Sequence, residues 1–260
     1  LELNKETNDT LKVDTMNELA WEYRIYNSKK AKEYANSAVH LSENIAYEDG
    51  RITALNRLGT ALFYGKEYLK AEKVYLEVLD LEQKRADIYG IGRAQNQLSE
   101  IYSNTYNYTA ALKYAKESYQ NFQKIDQPLT AANVASSIGF IHKELGNYGE
   151  SMYYLLKALE KQQQANNTRG VAIASMSIGL LYNNLKDYEK ALSYLNISET
   201  KFEELEDRLE LAKVYNNKAL VYLETSDYDQ AELLFQKSLK LKQKLKFSQN
   251  ILILQIKRRT

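Results

Sequence analysis

Read for its apolar positions, the chain repeats itself. The phrase "DYEKALSYL" at residues 187–195 returns as "DYDQAELLF" at 227–235, "NYGESMYYL" at 147–155, "NYTAALKYA" at 107–115 and "EYLKAEKVY" at 67–75, so the copies are evenly spaced. Aligning the copies gives fixed columns. Tyr68, Tyr108, Tyr148, Tyr188 and Tyr228 open the phrase, and three residues on stand the small side chains of Ala71, Ala111, Ser151, Ala191 and Ala231. Next come Tyr75, Ala115, Leu155, Leu195 and Phe235, then Val78, Ser118, Ala158, Ser198 and Ser238. These offsets of 3, 4 and 3 mark one stripe of an α-helix. A second stripe lies upstream. Leu58, Leu98, Ile138 and Ile178 are followed by the small Gly59, Ser99, Gly139, Gly179 and Ala219, then by Leu62, Tyr102, His142, Tyr182 and Tyr222. Short turns such as "LGN" (145–147) and "LKD" (185–187) separate the stripes.

The unit is therefore a helical hairpin of about 40 residues. One hairpin cannot bury both of its faces, so each must stack on its neighbours. The small residues let partner helices approach, and the aromatics fill what remains. A degenerate first copy, "NELAWEYRIYNSKKAKEYANSA", aligns with the second if one residue is deleted at its turn. The pattern predicts an all-α, right-handed α-solenoid formed as a single array over 1–260. Its hairpins are placed at approximately 13–51, 52–91, 92–131, 132–171, 172–211 and 212–249, with a terminal half-repeat at 250–260.

Gly179, Tyr182, Tyr188, Ala191 and Leu195 carry, in the clearest copy, a pattern that resembles the tetratricopeptide repeat (TPR). Two features depart from its commonest form. The period is longer than the usual one, and the proline that often closes the second helix is missing from every copy. The longer unit looks like the variant in peptide-binding scaffolds of the cell-polarity and kinesin light chain type, and like sensor regions of bacterial signalling proteins. The opening "NDTLKVDTMNELAWEYR" resembles the start of the repeat arrays in Bacteroidetes sensor histidine kinases, where a membrane helix and a kinase follow. That resemblance implies a bacterial chain with a membrane adjacent to its C-terminus, extracytoplasmic in preference to cytoplasmic.

Composition narrows the chemistry. Cysteine is absent, which excludes disulfides, thiolate metal sites and cysteine catalysis. The stretch "ILIL" at 251–254 is too short to span a bilayer. The chain begins with Leu1 rather than Met, and reads as a segment of a longer protein. Net charge is +1 but unevenly placed: nothing acidic follows Glu232, while Lys237, Lys240, Lys242, Lys244, Lys246, Lys257, Arg258 and Arg259 do. That tail reads as a solvated last helix, or as a patch for phosphates or an anionic membrane face. Neither histidine, His40 or His142, sits in a catalytic or metal-binding pattern. No glycine-rich phosphate loop follows a strand. No cofactor, metal or catalytic residue is expected, and no direct nucleic-acid partner.

The TPR resemblance places the first helix of each hairpin along a concave groove. Its groove columns hold Asn17, Asn56, Asn96, Ser136 and Asn216, with Met176 between the last two. An amide both donates and accepts, so this ladder can pair with the backbone of an extended peptide, or it can cap and bridge adjacent hairpins. Neighbouring candidates are Trp21, Arg57, Thr60, Tyr64, Arg93, Glu100, Phe140 and Asn217. Trp21 is either an anchor at the groove's end or a cap on the open end of the stack. The lysine–asparagine clamp by which some TPR domains hold a C-terminal carboxylate is not reproduced.

The function expected is that of a non-enzymatic scaffold taking a protein or peptide in its groove, as the sensory or interaction region of a bacterial two-component sensor. One alternative is a self-association module, dimerising through its terminal helix and setting the spacing of output domains. Another is a TPR regulator of a DNA-binding transcription factor.

Overall fold

The computed structural model describes the backbone of residues 7–259 and the side chains of residues 9–243. It forms two compact units, Leu1–Asp126 and Gln127–Thr260. Unit 1 holds α1 (Thr7–Tyr23), α2 (Ser28–Asn44), α3 (Glu48–Tyr64), α4 (Tyr68–Lys84), α5 (Ile88–Asn104) and α6 (Tyr108–Lys124). Unit 2 holds α7 (Pro128–Glu144), α8 (Tyr148–Gln164), α9 (Thr168–Asn184), α10 (Tyr188–Glu204), α11 (Arg208–Glu224) and α12 (Tyr228–Arg259). No strand occurs among the described residues. The fold is an all-α solenoid of helical hairpins, each packed on the next within its unit.

The helices are uniform because their ends are. Apart from α12, each is 17 residues long, and from α2 onward their starts are evenly spaced, at Ser28, Glu48, Tyr68, Ile88 and so on to Tyr228. The intervening three residues form one turn, used repeatedly. In residues 65–67, the Lys66 N–H donates to the Phe63 carbonyl and the Glu67 N–H to the Leu62 carbonyl. This pair of bonds closes the helix by the Schellman pattern and needs its middle residue in the left-handed region. Lys66 accordingly has φ +60°, Ala46 and Ala86 +54°, Lys186 +62° and Gly146 +75°. The third turn residue then starts the next helix. Asp187 donates its N–H back to the Tyr182 carbonyl, while its side chain accepts from the Lys190 N–H. Asn107, Asn167 and Asp207 cap their helices in the same way.

Small residues set the helix spacing. A Cβ on Gly59 would lie 2.6 Å from the Tyr75 ring, and one on Gly179 2.8 Å from Leu195 Cγ and 3.1 Å from the Ala191 carbonyl oxygen. Larger columns meet as stacked rings across the hairpin. Tyr102 pairs with Tyr114, His142 with Tyr154 and Tyr182 with Tyr194, at centroid separations of 5.6, 5.8 and 5.7 Å. In the first hairpin the pair is Tyr23–Tyr34, one residue closer in sequence, and its turn is Arg24–Asn27 without a left-handed residue. The one-residue deletion in the first copy is the cause. Cores follow these contacts: Leu55, Leu62, Tyr75, Val78, Leu98 and Ile101 in unit 1, and Leu155, Ile178, Leu181, Leu195, Phe202 and Val221 in unit 2.

The last helix differs from the sequence expectation. α12 runs unbroken for 32 residues through positions 250–259, where a separate terminal half-repeat is expected. Phe247 stands where Asp87, Asn167 and Asp207 cap helices in other copies, and it has no side-chain oxygen to start a new one. The side chains proposed there for self-association lie outside the described residues.

The turn geometry and the small-residue columns each yield a test. Replacing exposed Lys186 by Gly relieves a left-handed L-residue, and should raise stability by roughly 1 kcal/mol in urea denaturation; Gly146→Ala should lower it by a similar amount. Equal midpoints for all three proteins would show that the turns carry no strain. Gly179→Leu should cost on the order of 1–3 kcal/mol through overpacking, with hydrogen-exchange protection lost first in α9 and α10. Uniform loss across unit 2 would contradict the local stacking picture.

Candidate functional site

Among first helices of neighbouring hairpins, α1 meets α3, α7 meets α9, and α9 meets α11, whereas α3 and α5 make no comparable contact among the described residues. No two second helices make comparable contacts among the described residues. The side of each unit formed by its first helices is here called the inner side, and the candidate residues lie on those helices.

In unit 1 the Trp21 indole lies between two guanidinium groups. Arg24 is 3.5 Å and Arg57 4.4 Å from the ring centroid. Arg24 also donates through Nη1 to the Trp21 carbonyl at 2.5 Å. Arg57 is poorly partnered. Its nearest carboxylate, Glu18, is 3.8 Å from Nη2, beyond hydrogen-bond distance, and its buried Nε has no partner. Loss of water lowers the Arg57 pKa; Glu18 opposes the shift, and repulsion from Arg93 and Arg24 adds to it. The group stays charged regardless.

Beside it, Gly59 leaves room for the Tyr75 ring, which comes from α4 beneath the inner side of α3. The Tyr75 hydroxyl lies within hydrogen-bond distance of both Thr60 Oγ1, at 2.9 Å, and the Asn56 carbonyl, at 3.3 Å, and its one proton serves one of them at a time. Thr60 donates to that same carbonyl at 2.8 Å. Burial holds the phenol well above its usual range, Thr60 opposes this, and Glu100 adds to it. Glu100 makes no ion pair among the described residues, and loss of surrounding water pushes its carboxyl up. Arg93 makes none either; Tyr89 lies 6.0 Å from it. Tyr64 is exposed and edge-on to Phe63.

The asparagine column separates into distinct environments. Asn17 is 2% exposed and donates through Nδ2 to the Gly50 carbonyl on α3 at 3.3 Å. It bridges two hairpins and is withdrawn from any surface a ligand would meet. Asn56 donates back to its own helix, to the Ile52 carbonyl at 2.9 Å. Asn96 is half-buried, and its amide makes no hydrogen bond among the described residues.

In unit 2, Ser136 donates to the Ala132 carbonyl at 3.3 Å, and Phe140 is 42% exposed with Lys143 at 5.1 Å from its ring. Asn216 and Asn217 are half-buried. Met176, from the same column, packs into two core clusters instead. Three contributors escaped the sequence columns. Arg24 falls in the irregular first turn and Glu18 beside a core position. Tyr75 occupies a core column, but it is the only hydroxyl there, against Ala115, Leu155, Leu195 and Phe235, and Gly59 with Thr60 was its signal.

No group of His, Asp and Glu side chains among the described residues is placed to hold a metal ion. No helix among them is long and apolar enough to cross a membrane.

Comparison with known proteins agrees with this geometry. Residues 170–244 match the sequence model of the tetratricopeptide repeat family. RapI in its apo form superposes with a TM-score of 0.77 at 13% identity, covering 94% of this chain and 87% of that one. A Rap protein complexed with competence and sporulation factor gives 0.74 at 15%, covering 91% and 65%. NprR in complex with its cognate peptide NprX gives 0.71 at 15%, covering 99% and 74%. No curated protein matches in sequence. Residues 170–244 thus match tetratricopeptide repeats in sequence, and the other hairpins share their fold.

Tyr75→Phe isolates the hydroxyl at the inner face. If its role is to hold Thr60 and the Asn56 carbonyl, the variant should lose about 0.5–1.5 kcal/mol in chemical denaturation. An unchanged midpoint would show that the hydroxyl is not required by the fold.

Proposed function

We propose that the chain is an interaction scaffold that takes an extended peptide or protein segment along the inner sides of its first helices. The observation that carries this reading is the set of groups there without duty to the fold. Arg93, Asn96 and Glu100 in unit 1 make no side-chain hydrogen bond or ion pair among the described residues, and Phe140 in unit 2 is exposed. Repeated first helices present such groups at regular intervals, which suits the regular backbone of an extended ligand. NprR and the Rap protein, similar in fold, are solved with a peptide and with competence and sporulation factor respectively, which supports the reading.

The wider role follows the likeness of the opening residues to bacterial sensor arrays. On that reading the chain is the sensory or interaction region of a bacterial signalling protein, outside the cytoplasm. Ligand binding would alter the packing between hairpins, and the small changes would add along each stack. The gene sequence after Thr260 tests this part: a membrane helix and a kinase support it, and a helix-turn-helix would replace it with transcriptional regulation.

Binding itself is tested by selection from a displayed peptide library on the whole chain. With a selected peptide, Asn96→Ala should weaken binding by about 0.5–1.5 kcal/mol and leave the melting temperature unchanged. Asn17→Ala should do the reverse, because its amide bridges hairpins. If Asn96→Ala lowers stability and spares affinity, the inner-face reading of this column is wrong.

A further inference from the structure

The arginines of unit 1 divide into two kinds. Away from the inner face they are paired: Arg51 meets Glu43 at 3.0 Å and Glu77 at 2.6 Å, and Arg85 meets Asp49 at 2.7 Å. Arg57 and Arg93, on first helices, and Arg24, in the first turn, have no carboxylate within hydrogen-bond distance among the described residues. Glu18, the only carboxylate within ion-pair range of any of them among the described residues, stands 3.8 Å from Arg57 and is itself largely exposed. Arg57 is the most costly, since its side chain is only 20% exposed and its Nε is buried without a partner.

The fold does not require this charge. The positions equivalent to Arg57 in later repeats are Gln97, Ser137, Ser177 and Asn217, and those equivalent to Arg93 in other repeats are Asp14, Thr53, Asn133, Ile173 and Lys213. Apart from Asp14 and Lys213, neutral residues serve the same packing. The three arginines coincide only in the first three hairpins, and two of them flank the chain's single tryptophan. Tryptophan and arginine are the side chains most often responsible for anchoring a partner.

From this placement we propose that the inner face of unit 1 anchors an acidic side chain, an aspartate or glutamate of the bound segment, on the guanidinium groups of Arg57 and Arg93 beside Trp21. This rests on the peptide-binding reading above and names the chemistry it selects. A planar carboxylate offers the terminal nitrogens of Arg57 the close acceptor that Glu18, at 3.8 Å, is not, and a guanidinium matches it in a two-pronged geometry. Glu100 limits the ligand further. It lies two helical turns beyond Arg93, about 10 Å along α5, and would repel continuous negative charge. A segment with a local acidic anchor fits; a polyanion such as nucleic acid does not.

The experiment uses the whole chain and synthetic peptides in three matched sets: extended sequences carrying Asp and Glu, the same with Asn and Gln, and the same with phosphoserine. Fluorescence anisotropy of the labelled peptides reads affinity, and Trp21 emission reports engagement beside the arginines. The acidic set should bind at least about tenfold more tightly than the amide set, with the difference shrinking as salt rises. Arg57→Gln and Arg93→Gln should each remove most of that preference, weakening the acidic set several-fold more than the amide set. Exposed Arg93 keeps the test valid should Arg57→Gln fail to fold, as circular dichroism would show. Equal binding of acidic and amide sets overturns the acidic anchor and leaves the peptide reading standing. So does a preference that survives Arg93→Gln, or a phosphoserine set that binds while the acidic set does not. If no set binds a natively folded chain, both readings fall.

Discussion

Lys66, Ala86, Tyr106 and Lys186 hold backbone angles that an L-residue reaches only at a cost, and the rest of the architecture depends on their doing so. In this conformation three residues suffice to end one helix and begin another. The two backbone bonds of the turn satisfy the last carbonyls of the first helix, and at Asp87, Asn107, Asn167, Asp187 and Asp207 the residue that donates one of them also caps the next. With so little slack, helix length and register become fixed. Side chains of one helix then always meet the same positions on its partner. The glycines at 59, 139 and 179 and the stacked rings at 102 and 114 can be columns only because the turns do not vary.

Much of this was legible in the sequence, for a physical reason. Core columns face neighbours of fixed distance, so their size is constrained in every copy, and constraint repeated at a fixed period is visible. Gly59, Gly179 and one ring of each stacked pair, Tyr102, His142 and Tyr182, were found this way, while their partners Tyr114, Tyr154 and Tyr194 were not. Even the deletion in the first hairpin reappears, as Tyr23 and Tyr34 stacking one residue closer in sequence. The left-handed turn residues were hidden, because Lys, Ala, Tyr, Glu and Ser fill most of them and only Asp126, Gly146 and Asn166 announce the geometry. The continuity of α12 was hidden too. Failure to stop a helix leaves only the missing cap at Phe247 as its trace.

Inner-face residues were legible as positions but not as roles. Asn17, Asn56 and Asn96 share a column and a side chain, yet one bridges hairpins, one bonds its own helix and one is unpaired among the described residues. The difference comes from local packing, which single columns do not encode. Tyr75 shows the converse. It belongs by column to the core, and its ring is buried there, but the missing Cβ of Gly59 lets its hydroxyl reach the inner side. A residue can therefore serve packing with one end and the site with the other.

The sameness of the turns has a further consequence for how such a chain can grow. Because the link inside a hairpin and the link between hairpins share one geometry, a block of one whole hairpin can be cut at either and duplicated without disturbing a single turn. A block of one helix and its turn would fit the backbone equally well, but it would set two helices of the same kind against each other. Gly59 would then face no counterpart of Tyr75. The backbone counts in single helices and the side chains count in pairs. Lengthening by recombination is therefore quantised in whole hairpins, and it is the side chains, rather than the peptide geometry, that enforce the quantum.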